Sequence, residues 1–272
     1  MHELLTQTIV QRGLDQSILL AGLVTSRMMP VVMLVPFLGG KAAPTQVKIG
    51  LALTLTVLVY PAVWLGSPAL PHSPLVVAAL LVKEIGVGLM IGFVTALVFA
   101  SVRMAGRVID TSRGQSKAMS MVPQLKTQAS VSGNFLLQLF IVLFMLTGGH
   151  RLFLAAITRS FRKIPPHQFA SLHNGEAIVF GIARLAADAI ELGILLALPV
   201  IAAILLTNIF LALVNKAAPQ INVFFLGMPL KALAGVAVLL LALDPLISRF
   251  MAEAVSYLRH LLEFLAMGAP PP

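Results

Sequence analysis

The sequence predicts an all-α membrane protein with about six long apolar helices, some kinked or hairpin-like, followed by a C-terminal amphipathic helix. Three observations carry this. Of the 272 residues 58% are apolar and only 11% are charged, against about 25% charged in soluble domains, so a lone soluble fold would leave wide apolar patches in water. The apolar residues gather into six runs, about 17–38, 47–65, 75–100, 134–157, 178–214 and 227–248, and a helix crossing hydrocarbon takes about 20 such residues. No run alternates with the period of two that marks the strands of a closed barrel, the other backbone lipid tolerates.

The elements follow in order. Residues 1–16 are mixed and polar, without the basic start and small-residue cleavage site of a secretory signal, so the first run is expected to be retained as a span. Gly39-Gly40-Lys41-Ala42-Ala43-Pro44 breaks the chain before the second run, and Gly66-Ser67-Pro68 through Pro71-His72-Ser73-Pro74 breaks it before the third. In the third run Gly88, Gly92, Ala96 and Ala100 recur every four residues, a stripe of small side chains suited to close helix packing. Gly86-Val87-Gly88 is no dinucleotide loop, because the spacing is wrong and no strand precedes it.

Residues 101–133 are the longest polar stretch. Arg103, Arg107 and Asp110 extend the third helix with a charged face, and the chain then turns polar over 111–117 and methionine-containing over 118–123. Such a loop is either a functional lid, where adaptable methionines make a conforming seal, or a solvated connector. Its Arg103, Arg107, Arg113, Lys117 and Lys126 make the positive-inside rule favour a cytoplasmic position for residues 101–126.

Pro165-Pro166 and His173-Asn174-Gly175 open the next loop. The fifth run is too long for one simple crossing, and Pro199 predicts a kink or a tilted, extended helix. In that run Arg184, Asp188 and Glu191 fall at i, i+4 and i+7, share one face and can neutralise one another. A buried polar seam against another subunit is favoured over a proton relay, since no second carboxylate cluster exists to take the proton. Arg27, Lys83 with Glu84, Arg151, Lys231 and Asp244 also lie in or near apolar runs, where charge is costly. So many semi-buried charges suggest helices that face protein more than lipid. In the tail, Met251, Ala254, Val255, Leu258, Leu261, Leu262 and Leu265 form one face and Glu253, Arg259, His260 and Glu263 the other, an amphipathic helix expected on a membrane or a partner.

The formal charge of +9 sits between apolar runs, which favours anionic headgroups or partner chains over nucleic acid. The absence of cysteine excludes thiol chemistry and disulfides. The six histidines make no metal-ligand spacing, and neither a nucleophile elbow nor a phosphate-binding loop is present. Neither an enzymatic activity nor a cofactor is expected.

The stretch Leu213-Val214-Asn215-Lys216-Ala217-Ala218-Pro219-Gln220-Ile221-Asn222-Val223-Phe224-Phe225-Leu226-Gly227-Met228-Pro229-Leu230-Lys231 resembles the signature of the FliR family of the flagellar export apparatus. Weaker matches run in the same order: Arg27 before Pro36, Lys48-Ile49-Gly50-Leu51-Ala52, Gly88 and Gly92, Arg103-x-Ala105-Gly106, and Gly149-His150. Together they span about residues 17–250.

The resemblance implies a non-enzymatic subunit of the flagellar type III export gate in the bacterial inner membrane, at the basal body. It implies assembly with FliP-like and FliQ-like subunits, contact with other export-apparatus proteins and lipid, and passage of unfolded protein substrates. It also implies a FliP-like part over 1–175 and a FliQ-like hairpin and tail over 176–272. That hairpin would turn at a subunit interface involving Pro219, Gln220, Asn222, Pro229 and Lys231. The loop around 110–127 would correspond to a pore plug containing Arg113, Gly114, Ser116, Lys117, Met119, Met121 and Pro123. The family often has Gly-x-x-x-Gly-x-Ser-Phe and then Asp-Pro there, whereas this loop is more basic and lacks the Asp-Pro. Virulence-type secretion is the alternative within the family, and a self-contained secondary transporter with a site near Pro199 is the alternative of another class.

Overall fold

The computed structural model describes residues 2–40, 43–64, 70–71, 73–114, 130–169, 175–220 and 222–267. Among these residues there are eight α-helices and no strands: α1 (His2–Leu34), α2 (Thr45–Trp64), α3 (Pro74–Ser112), α4 (Val131–Leu146), α5 (Gly149–Lys163), α6 (Gly175–Ala217), α7 (Val223–Leu241) and α8 (Leu243–Met267). A short 3-10 turn, Pro36–Leu38, follows α1.

Five helices have a stretch long and apolar enough to cross a membrane, in α1, α2, α3, α6 and α7, and the bent pair α4–α5 makes a sixth if counted as one span. The bend is 75°, whereas the sequence reads 134–157 as one run. Its cause is local: Gly148 adopts the left-handed conformation, φ 80°, that ends α4, and the Thr147 amide donates back to the Leu143 carbonyl. The last run also divides. Asp244-Pro245 lies in the first turn of α8, where proline lacks the amide that would continue α7. Pro199, by contrast, is carried inside α6. That helix has 43 residues, about 65 Å at 1.5 Å per residue, twice the roughly 30 Å of hydrocarbon. Much of it must therefore lie against something other than lipid tails.

The chain forms two compact units, residues 1–96, 148–185 and 256–272, and residues 97–147 and 186–255. In the first, α2 lies against α1 and touches α5. Leu20, Leu23, Val24, Met28, Val31 and Val32 of α1, Leu80 and Ile91 of α3, and Phe153 and Ile157 of α5 are buried. Gly88 brings α3 so close to α1 that a Cβ there would collide with the Arg27 backbone, and one at Gly92 would crowd Leu34 and the Pro30 carbonyl. In the second unit, Phe99, Phe140, Phe144 and Phe250 make an edge-to-face cluster with centroids 4.6–5.6 Å apart. Gly106 and Gly133 let α3 and the start of α4 touch backbone to backbone.

The tail helix differs from expectation. Leu246, Phe250, Ala254, Tyr257, Leu258, Leu261, Phe264 and Leu265 are buried within the chain's own structure. The Tyr257 hydroxyl donates to the Leu185 carbonyl at 2.8 Å, and Phe264 packs on Gly181. The apolar stripe read from spacing is real, but this chain's own helix covers much of it; Val255 remains exposed.

Candidate functional site

The chemistry that a sequence of few charges concentrates is found in four places. In the first unit, Arg27 of α1 is wholly buried, and its guanidinium grips Glu84 of α3 with two hydrogen bonds, Nε to Oε2 at 2.6 Å and Nη2 to Oε1 at 2.9 Å. The remaining N–H groups donate to Ser160 Oγ at 3.1 Å and to the Ile164 carbonyl at 2.7 Å, and Phe161 stacks 4.0 Å from the guanidinium carbon. Lys83 reaches Glu84 at 2.6 Å and donates to the carbonyls of Pro165, Pro166 and Gln168 at 2.9–3.3 Å. One carboxylate thus ties two cations, and the set ties α1, α3 and the segment after α5. A buried charge is tolerable when its partners are this complete. His167, beside this cluster, has its pKa lowered by burial and then by the Lys83 charge, and its Nδ1 is buried without a hydrogen-bond partner. The sequence flags Arg27, Lys83 and Glu84 as charges in apolar runs; their pairing joins positions 57 residues apart, which spacing along one helix cannot reveal.

The second place is the base of the long loop. Asp110 Oδ2 accepts from Ser130 Oγ at 2.7 Å and from the Ser132 amide at 3.1 Å. Ser130 caps α4 through the Gly133 amide, and Arg113 Nη1 donates to Ser132 Oγ at 3.3 Å. This clasp fixes both ends of the loop. Of the residues expected in the plug, Arg113 and Gly114 are described; Ser116, Lys117, Met119, Met121 and Pro123 lie outside the described residues. Gly114 takes φ 86°, and its amide donates to the Thr111 carbonyl at 3.0 Å, the left-handed stop that lets the chain leave α3.

The third place is the turn between α6 and α7. Pro219 and Gln220 form it and are exposed, and Asn222 caps α7 by accepting from the Phe224 amide at 3.2 Å. Pro229 is exposed on α7, and Lys231 is half-buried. Arg113 and Lys231 both line a cavity of about 500 Å³ in this unit.

The fourth is the polar face of α6. Arg184, Asp188 and Glu191 are exposed, interspersed with exposed Ile190, Ile194 and Leu195. No described residue of the chain covers them. Gly88 and Gly92 are buried and Ala96 half-buried on α3.

Long apolar helices that bury one complete charge cluster while displaying large apolar side chains define a helical membrane protein. Residues 18–256 match the family of bacterial export proteins, family 1, and the chain belongs to this FliR family. The flagellar biosynthetic protein FliR of Escherichia coli is 29% identical over 90% of this chain and 91% of its own length. That of Caulobacter vibrioides is 30% identical over 82% and 88%. The Yop proteins translocation protein T of Yersinia pestis is 32% identical over 67% and 69%. The chain is a non-enzymatic membrane component of a flagellar or type III export apparatus.

Proposed function

We propose that this chain forms part of the entrance channel for unfolded export substrates at the inner membrane, in the flagellar branch, assembled with FliP-like and FliQ-like subunits. The observation that carries this reading is the exposed Arg184–Asp188–Glu191 face of a helix about twice as long as a bilayer is thick. Charge at bilayer depth costs about 2.5–3.5 kcal/mol per residue, so another polypeptide covers the seam. In this reading residues 1–175 serve as the FliP-like part and 176–272 as the FliQ-like hairpin and tail. The Pro219-Gln220 turn, with Asn222, Pro229 and Lys231, meets a neighbouring subunit. Gly88, Gly92 and Ala96 hold α3 against its neighbours. Residues 113–123, anchored by the Asp110 clasp, plug the pore. The wider coverage of the flagellar relatives, 90% of the chain against 67% for the virulence relative, favours the flagellar branch.

Deleting residues 115–122, which spares the clasp, tests the plug. The assembled complex, reconstituted in planar bilayers, is expected to form and to conduct ions at rest. A deleted complex that assembles and stays as tight as wild type would reject the plug. A self-contained transporter would instead be stable alone and bind a small substrate without partners.

A further inference from the structure

The cavity of about 500 Å³ in the second unit is lined by Arg113, Lys231, Asn208, Asn215 and Asn222, with Phe224 at its wall. No carboxylate is among its described lining residues. Asp110, the acid that acts on Arg113, already accepts two hydrogen bonds from Ser130 and Ser132. The Arg113 guanidinium is undersupplied: Nη1 has the long bond to Ser132, while Nε and Nη2 are buried against Gly235 with no acceptor. Burial lowers its pKa, and the pull of the Asp110 carboxylate in the other direction only partly offsets this. Two cations and three side-chain amides around a space this large suit a multi-oxygen anion better than a single carboxylate. Leu213, Phe224, Phe225 and Leu226, at the ends of the two helices that frame the cavity, are large, apolar and exposed, a surface on which acyl chains can lie.

We infer that this cavity binds a phosphate group, that of an anionic phospholipid. Lys231 and Arg113 supply the positive charge, and the asparagine amides supply further donors. Basic pockets beside membrane helices hold such headgroups by the same physics.

The test uses the assembled export complex in nanodiscs doped with phosphatidylglycerol or phosphatidylcholine, each carrying a photoreactive group near its phosphate, with labelled peptides mapped by mass spectrometry. Phosphatidylglycerol is expected to label residues 208–231 in preference to phosphatidylcholine. Lys231→Gln should lower that labelling by about fivefold, and Lys231→Arg should restore it, which separates lost charge from lost folding. Protection by inorganic phosphate would assign the site to free phosphate, and resistance to it would assign the site to lipid. Equal labelling by both lipids without protection by phosphate would overturn the inference. So would labelling indifferent to both Lys231→Gln and Arg113→Gln. The neighbouring subunit proposed to meet this turn leaves the Lys231 charge to the lipid; a zero-length crosslink joining Lys231 to a carboxylate of that subunit would show that a protein takes the charge instead and would overturn the inference as well.

Discussion

The charges of α1 and α3 and those of α6 lie in similarly apolar sequence but end in opposite settings. Arg27 and Glu84 are wholly buried, paired twice with each other and held by Ser160, Phe161 and Ile164. Arg184, Asp188 and Glu191 stand exposed among exposed isoleucines and leucines. The difference teaches what each set is for. The first completes its partners inside one chain, so it specifies how that chain's helices meet. The second is left open on this chain, and in the proposed assembly it is where other chains meet this one.

Breaking the first set should have the largest effect. Arg27→Ala leaves Glu84 buried beside Lys83 alone and is expected to destabilise the chain by about 3–5 kcal/mol, while the double change Arg27→Met with Glu84→Leu recovers most of it. Thermal unfolding of the detergent-purified export complex reads both, and a double variant no better than Arg27→Ala would refute the pairing argument.

Close packing comes next. A methyl at Gly88 meets the Arg27 backbone, whereas one at Gly86 meets nothing within 4 Å. Gly88→Ala should therefore cost about 1–3 kcal/mol, and Gly86→Ala, relieved of glycine's helix penalty, should gain up to about 1 kcal/mol. The same unfolding assay distinguishes them by sign.

At the loop base, Asp110→Ala removes the acceptor of Ser130 and the Ser132 amide and is expected to cost about 1–3 kcal/mol. Faster proteolytic nicking between residues 114 and 130 would show that the clasp has opened; an unchanged cleavage pattern would count against it.

The smallest effect is a pH dependence. His167 has a lowered pKa in the folded chain, so folding opposes its protonation. Its contribution is intact above the unfolded value of about 6.5 and is lost as pH falls from there through the folded value. Unfolding midpoints should decline with acidification below about pH 6.5, and His167→Gln should flatten that slope without reversing it.

Much of this is legible in the sequence itself. Helix class follows from composition and run length, because lipid leaves a chain few alternatives. The family follows from the 213–231 block. What remained hidden was set by tertiary contact or by one backbone angle. Gly148 turns a single apolar run into two helices at 75°, yet a glycine in an apolar run does not reveal its φ. The stripe of α8 is plain in the sequence, but Tyr257 on Leu185 and Phe264 on Gly181 decide that it is buried by this chain. Arg27 and Glu84 announce themselves as expensive charges, but only the packing of α1 on α3 shows that they answer each other. Arg113 is readable as a loop cation; that it lines a cavity with Lys231 requires α7 to return beside the end of α3.

The most direct measurement places a photo-crosslinking amino acid at position 188, in place of the exposed Asp188, in cells that assemble the native export apparatus. The account predicts capture of another export-apparatus subunit, identified by mass spectrometry, in place of the lipid adducts an uncovered helix would give. A fully assembled, export-competent apparatus in which position 188 captures lipid alone would contradict it.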